Sequence, residues 1–468
     1  MSVKTTRVQR LELTHFRGIR HLTLDFTERV TVLVGVNGAG KTSILEALRA
    51  LFARASWEIS SSISIAARQS TRLSQIENST QPTHLEDNIL LERQLQKNIQ
   101  SINLKNNIQS IYLKDSDIQI GQQSLSLAIS AIFEDSSLDW TLNVHSTLPG
   151  ELTLQDSEEH ALSVFADKLS KRIVAEPRTA LPLTIYYAIG RSAARDDVPL
   201  EDETVQNQLN AYTGALAGSG PYSTSAFVSW FRRREDYENE KRIDNGAYRD
   251  AQLQAVRRAV AELLPGFNDL RIRRQPMRMV IRKGNNELQL WHLSDGERYL
   301  LTLGADIARR LALANPMAKE PHLCSAIILI DEIETHLHPL WQRRVIPALA
   351  LAFPNCQFII STHSPQVLSN VRPESIYLLT QEDGELHAQR PEASFGRDSN
   401  RILEDILGVD ERPSEIKQML SDYFYLIDQG KMDEARSLRR DLEALIGPDE
   451  PEFTRADAIM RTRELLSR

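Results

Sequence analysis

A chain of 468 residues, 41% hydrophobic and 25% charged, is long enough for two or three ordinary globular domains and needs no exotic class. With 55 basic against 63 acidic residues and a net charge of −8, it is not built to coat nucleic acid, although a local basic patch stays open. Its two cysteines, Cys324 and Cys356, fit reduced buried thiols and a cytoplasmic setting, and no window approaches the roughly 18 apolar residues of a membrane span, so any membrane contact would run through a partner.

"VQRLELTHFRGIRHLTLDF" predicts two strands around a turn at Arg17-Gly18, and "VTVLVG" a short strand buried on both faces. A helix follows from Lys41 through "TSILEALRALFARA". From about Trp57 to Lys97 the chain is polar without periodicity, which predicts loops, short helices or insertion. "NIQSINLK" at 98–105 recurs as "NIQSIYLK" at 107–114; two copies are too few for a solenoid and read as a strand-like insertion. Asp115 and Asp117 in "DSDIQI" read as a solvated turn, since no third acid is in register for a metal. Strand patterns continue through "LSLAISAIFEDSSLDWTLNVHS", and "LPLTIYYAIGR" at 181–191 is a buried strand. The charged stretch headed by Arg232, Arg233 and Arg234 reads as a solvated helix laced with ion pairs. "FNDLRIRRQPMRMVIRKGNNELQLWHL" reads as a hairpin turning at Gly284-Asn285. "LSDGE" at 293–297 then opens a long helix, with Ser294 capping its first turn and Glu297 completing a capping box. "SAIILID" and "CQFIIST" are parallel-type strands, and the region from about Arg401 to Arg468 is helical, polar and rich in Glu and Arg.

Chemistry enters at "GVNGAGKTS", which satisfies the phosphate-loop pattern. Gly35, Asn37, Gly38, Ala39, Gly40 and Ser43 supply the loop and helix entry, Lys41 reaches the outer phosphates, and the Thr42 hydroxyl ligates Mg2+. "AIILIDE" sets Asp331 and Glu332 at the carboxyl end of a buried strand, where ligands gather in an open parallel sheet. Asp331 would hold the hydrated magnesium and Glu332 would orient and deprotonate the attacking water. "QFIISTHSPQVL" presents His363 one strand-helix-strand step later, 31 residues on (363 minus 332), at the same sheet edge. His336 and His338 in "THLHP" lack further ligands in register and read as structural or as a subunit contact.

A phosphate loop, "LSDGE", "ILIDE" and "STHSP", in that order, resemble the ATPase heads of the ABC, SMC and OLD superfamily over roughly residues 5–56 and 265–375. The resemblance implies an α/β P-loop head (1–56 and 265–400), a long strand-containing insertion between Walker A and the signature motif (57–264), and a C-terminal helical region (401–468) that could dock a partner. It further implies a head-to-tail ATP-sandwich dimer: Ser294 and Gly296 act in trans on ATP bound at Gly35–Ser43, His363 acts in cis as switch histidine, and Arg17 in "HFRGIR" matches the arginine of SMC-like heads. No heptad runs and no Asp-x-Asp cluster after His363 argue against an SMC arm or a built-in Toprim nuclease. "LSDGERYLLTLGADIARRLALANP", "IDEIETHLHPLWQRRVIPAL" and "GRDSNRILEDILGVDERPSEI" are similar to the ATPases of antiphage systems, above all the PtuA family of Septu and its retron-linked relatives. That likeness implies a higher-order homo-oligomer and an HNH nuclease partner of PtuB type, with DNA met through the complex. The competing readings are a DNA-repair ATPase gripping DNA with the arginines at 232–234 and 271–274, and a transporter ATPase.

Overall fold

A computed structural model describes residues 5–26, 28–77, 113–148, 151–155, 160–189, 208–218 and 224–466. The repeated segment at 98–114 lies almost wholly outside them.

The chain opens with β1 (Thr6–Phe16) and β2 (Ile19–Asp25), an antiparallel hairpin turning at Arg17-Gly18, followed by β3 (Val30–Val34). Thr31, Val32, Leu33 and Val34 of β3 are all buried, as a strand covered on both faces requires. Helix α1 (Lys41–Glu77) runs well past the polar boundary expected near Trp57. Its second half stays helical because Ile59, Ser60, Ile63 and Ser64 recur at i, i+4 and are buried, with the Ser64 hydroxyl donating to the Ser60 carbonyl at 2.8 Å. Small hydroxyl residues hide a packing face that a hydropathy reading scores as polar.

The next strands, β4 (Ser124–Phe133) and β5 (Ser136–Leu148), bury residues at alternate positions, and with β6 (Glu151–Gln155) they continue the hairpin's sheet in the order β2-β1-β4-β5-β6. Phe52 of α1, Phe133, Trp140 and Phe165 of α2 (His160–Ala175) meet with centroids 5.8–6.2 Å apart, joining that sheet to α1. β7 (Thr184–Tyr187) then leaves for the second sheet. The charged stretch is two helices, α3 (Thr224–Asp244) and α4 (Ala251–Leu263), divided where Asp250 caps α4 through the Gln252 and Leu253 amides. Its arginines are not simply solvated: Arg234 pairs with the buried Asp250, and Arg257 of α4 bonds buried Glu238 at 3.0 Å.

β8 (Phe267–Arg274), β9 (Met277–Lys283) and β10 (Asn286–Gln289) form a three-stranded meander, so the expected hairpin at Gly284-Asn285 carries one strand more. It leads into α5 (Asp295–Ala314), then β11 (Ile327–Ile330), α6 (Pro339–Gln342), α7 (Val345–Ala352), β12 (Gln357–Thr362), α8 (Pro365–Leu368), β13 (Ile376–Glu382) and β14 (Glu385–Gln389). The second sheet has the order β14-β13-β3-β12-β11-β7; every neighbouring pair is parallel except β13 with β14. Because β12 lies between β3 and β11, the loops leaving these three strands emerge side by side at the carboxyl edge, the ligand-binding edge of such a sheet. This is a mixed α/β fold built on a mostly parallel six-stranded sheet, with the phosphate-loop sequence at its carboxyl edge.

A second compact unit, Asp398–Arg468, holds α9 (Ser399–Asp405), α10 (Ser414–Asp428), α11 (Met432–Ile446) and α12 (Pro451–Leu466) around Tyr423, Ile427, Leu442 and Phe453. No helix among the described residues is long and apolar enough to cross a membrane.

Candidate nucleotide site

The loop between β3 and α1 is shaped by its glycines. Gly38 and Gly40 take φ of 83° and 88°, where a Cβ would be strained, and a Cβ on Gly35 would stand 2.5 Å from the Leu379 carbonyl of β13. Val36, Asn37 and Gly38 are exposed at the tip, while Ala39 is buried beneath it. The Lys41 ammonium folds back to donate to the carbonyls of Gly35 at 2.9 Å and Val36 at 3.0 Å. Burial pushes its pKa down, against the opposing pull of Glu332, Asp331 and Glu334. The first turn of α1 presents unpaired N–H groups beside this ammonium, which is the arrangement an oligophosphate needs.

Across the sheet edge, the Thr42 hydroxyl donates to Asp331 Oδ1 at 3.2 Å. Ser361 of β12 donates a short bond to the same carboxylate and accepts the Glu332 amide at 2.8 Å. Burial raises the Asp331 pKa; the bonds from Ser361 and Thr42 draw it down, and Glu332 and Glu46 push it up again. Hard oxygen donors, a hydroxyl and a buried carboxylate within hydrogen-bond reach of each other and ringed by further acids, fit Mg2+. The His338 ring caps α6 by accepting from the Leu340 amide at 3.3 Å.

Glu332 sits in the left-handed region (φ 48°), which turns its carboxylate out of the strand line and to 3.9 Å from His363 Nε2. Burial lowers the His363 pKa, Lys41 lowers it further, and Glu334, Glu332 and Asp331 only partly offset this. Glu334 escaped the sequence reading. Its carboxylate accepts the Thr362 hydroxyl at 2.7 Å and the His363 amide at 2.5 Å, fastening the loop after β12 to the loop after β11. Its only sequence signal is alternation with Glu332 in "DEIET".

Arg17 lies at the hairpin tip beside α1. Its Nε donates to Asp117 at 2.8 Å, Nη2 to Glu46, and Nη1 to Ser43 Oγ at 3.4 Å. Asp117 is therefore not a solvated turn residue. It is 4% exposed in a 3-10 turn, buried because it answers an arginine a hundred positions away. Ser294 is exposed and caps α5 with the expected capping box: its hydroxyl accepts the Glu297 amide at 3.4 Å, and Glu297 accepts the Ser294 amide at 3.0 Å. Gly296 is buried against the segment after Glu332, where a Cβ would stand 3.0 Å from the His336 carbonyl. Thus the Walker A, Walker B and His363 loops meet within one chain, whereas the bonds of Ser294 run to Glu297 and Arg298 of its own turn.

The family model described as "AAA domain, putative AbiEii toxin, Type IV TA system" matches residues 30–369. Similar curated proteins include the "Retron Ec83 probable ATPase" of Escherichia coli, 27% identical over 95% of this chain and 84% of that protein, and the "Retron Vc95 probable ATPase" of Vibrio cholerae, 25% identical over 91% and 84%. The "Septu protein PtuA" of Bacillus thuringiensis is 25% identical over 37% of this chain and 46% of its own length. Among solved structures, the SMC head domain from Thermotoga maritima is matched over 83% of this chain and all of that one at 17% identity and a TM-score of 0.40.

Proposed function

The chain belongs to the AAA-domain family whose model spans most of it, and from that premise we propose that it binds and hydrolyses Mg-ATP as the sensor subunit of an antiphage defence complex. The observation that carries the nucleotide reading is the Thr42–Asp331 hydrogen bond, which closes Walker A onto Walker B with Glu332 and His363 alongside. Glu332 takes a proton from the water that attacks the γ-phosphorus, and ADP leaves with the electron pair of the cleaved P–O bond. His363 donates from its ring to the γ-phosphate, and Glu334 holds its loop through the His363 backbone amide. Thr42 and Asp331 would hold Mg2+, which would supply positive charge against the phosphates when bound.

Two chains pair head to tail, so that Ser294 and Gly296 of one close on nucleotide held by the other. The exposed, capped Ser294 at a helix N-terminus supports this, because its N–H groups and dipole favour an anion from outside the chain. Nucleotide occupancy then restrains or releases a separate HNH nuclease that acts on DNA, a reading supported by the likeness to the Septu and retron ATPases. Slow turnover suits such a regulator, which needs differential affinity for two states rather than speed.

Co-expression with the neighbouring gene tests the whole. Wild type should form an ATP-dependent pair with nucleotide-controlled DNA cleavage; Lys41→Ala should lose binding, Ser294→Arg pairing, and Glu332→Gln turnover but not pairing. A protein that stays monomeric with ATP as Glu332→Gln, beside a nuclease indifferent to nucleotide, would sink the proposal. Direct DNA gripping is the weaker reading, since Arg271 and Arg273 are engaged by Glu287, Arg274 by Glu235 and Asp236, and Arg234 by Asp250. Salt-dependent DNA binding by the isolated chain would favour it instead.

A further inference from the structure

We propose that Asp117, together with Glu46, is a positioning residue that aims the Arg17 guanidinium at the nucleotide's phosphate chain beside Ser43; this rests on the nucleotide reading above. Asp117 grips Arg17 twice, by its carbonyl on the Arg17 amide at 2.7 Å and by Oδ1 on Nε at 2.8 Å. Its other carboxylate oxygen accepts the Lys114 amide at 2.7 Å, Ile118 bridges to Phe16, and the Gln119 amide donates to the His15 carbonyl at 2.9 Å. The turn at 115–117 is thus laced onto the hairpin tip, where His15 and Arg17 both hold positive φ (55° and 54°). That backbone keeps its unusual course because the turn over-determines it.

The guanidinium has five N–H groups in a rigid fork. Asp117 and Glu46 take the inner edge, Ser43 takes one on Nη1, and the outer nitrogens each retain one for an incoming ligand. Ser43 stands in the first turn of α1, whose unpaired amides mark where an anion sits. Glu46 is shared with Arg49 at 3.6 Å, so two arginines face two carboxylates and a phosphate entering there meets no excess negative charge. A loose arginine would pay rotamer entropy on every binding event; a pinned one does not.

Calorimetric titration of the full chain with Mg-ATP tests this, with wild type, Arg17→Ala, Asp117→Asn, the double variant, Glu46→Gln and Lys41→Ala. Arg17→Ala and Asp117→Asn should each weaken binding about tenfold, the loss of roughly one charge-assisted hydrogen bond. The double variant should be within about twofold of Arg17→Ala, because Asp117 acts through Arg17. Asp117→Asn should raise KM with kcat little changed, and Glu46→Gln, which leaves the 115–117 turn untouched, should do the same if Asp117→Asn folds poorly. Full additivity, or wild-type affinity in both Asp117→Asn and Glu46→Gln while Lys41→Ala is silent, overturns this inference alone. A wild-type chain that does not bind ATP overturns the nucleotide reading with it.

Discussion

Replacing Asp306 tests how the helix that begins at the signature loop is tied to the nucleotide-binding sheet. Asp306, buried in α5, accepts Arg310 Nε at 2.8 Å and the Tyr187 hydroxyl at 3.0 Å, with Arg309 at 3.7 Å. Tyr187 is the last residue of β7, and its carbonyl accepts the Asp331 amide at 2.8 Å. Removing one partner of a buried ion pair costs about 3–5 kcal/mol because the other charge is left without its counterion. Here Arg310 keeps the carbonyls of Ala211 and Thr213 at 2.7 and 2.9 Å, which places Asp306→Ala near the lower end, about 3 kcal/mol, and the isosteric Asp306→Asn at about 2 kcal/mol. Burial alone would raise the Asp306 pKa, but Arg310, Arg309 and Tyr187 together hold it below its ordinary value. The stabilisation is therefore complete above the unfolded carboxylate pKa of about 3.9 and lost as pH falls through the lower folded value. All five tryptophans lie in the first unit, so urea unfolding followed by tryptophan fluorescence reports on this network without the C-terminal helices. A wild-type advantage over Asp306→Asn below about 1 kcal/mol at pH 7, or one that widens on acidification, would refute the reasoning.

Lys41→Ala should abolish Mg-ATP binding by calorimetry, since it removes the ammonium that bonds the loop carbonyls and faces Glu332 and Asp331. Gly40→Ala should cost about 1–2 kcal/mol in thermal unfolding, because it forces a side chain into φ 88° with its Cβ 3.1 Å from Leu386 Cδ2. Glu334→Gln should lower kcat about tenfold at nearly constant KM in a steady-state ATPase assay, as the His363 loop loses a charged acceptor rather than a nucleotide contact. A raised KM with kcat unchanged would assign Glu334 to binding instead.

Local rules made the phosphate loop, the buried strands and the Ser294–Glu297 capping box legible, because each is written within a few consecutive residues. What escaped the sequence depends on pairs far apart. Asp117 looks like any acid in a polar turn until Arg17 is folded against it, and Thr184–Tyr187 gives no local sign that it will lie beside β11. The helical span from Trp57 to Glu77 hides because its packing face uses serines. The charged stretch read as one solvated helix divides at Asp250, whose carboxylate caps α4 and neutralises Arg234 at once. Interleaved charges gave the right element type but could not reveal which acids are buried.

The segment from Glu332 to His336 connects the two halves of the proposed shared site. Both ends sit at positive φ, 48° and 67°, a cost of order 1–3 kcal/mol each that surrounding contacts must sustain. At one end Glu332 is held by the Ser361 hydroxyl on its amide and faces His363; at the other the His336 carbonyl lies against Gly296 of the signature turn. The close approach admits no larger residue at Gly296 without displacing that carbonyl by a few tenths of an ångström. In the proposed pair, a signature turn drawn toward the partner's nucleotide would push or pull the strained segment, and with it the carboxylate that would activate water in its own site. In such a pair each chain's hydrolysis would be set in part by the nucleotide its partner holds, which is the property the proposed sensor role requires.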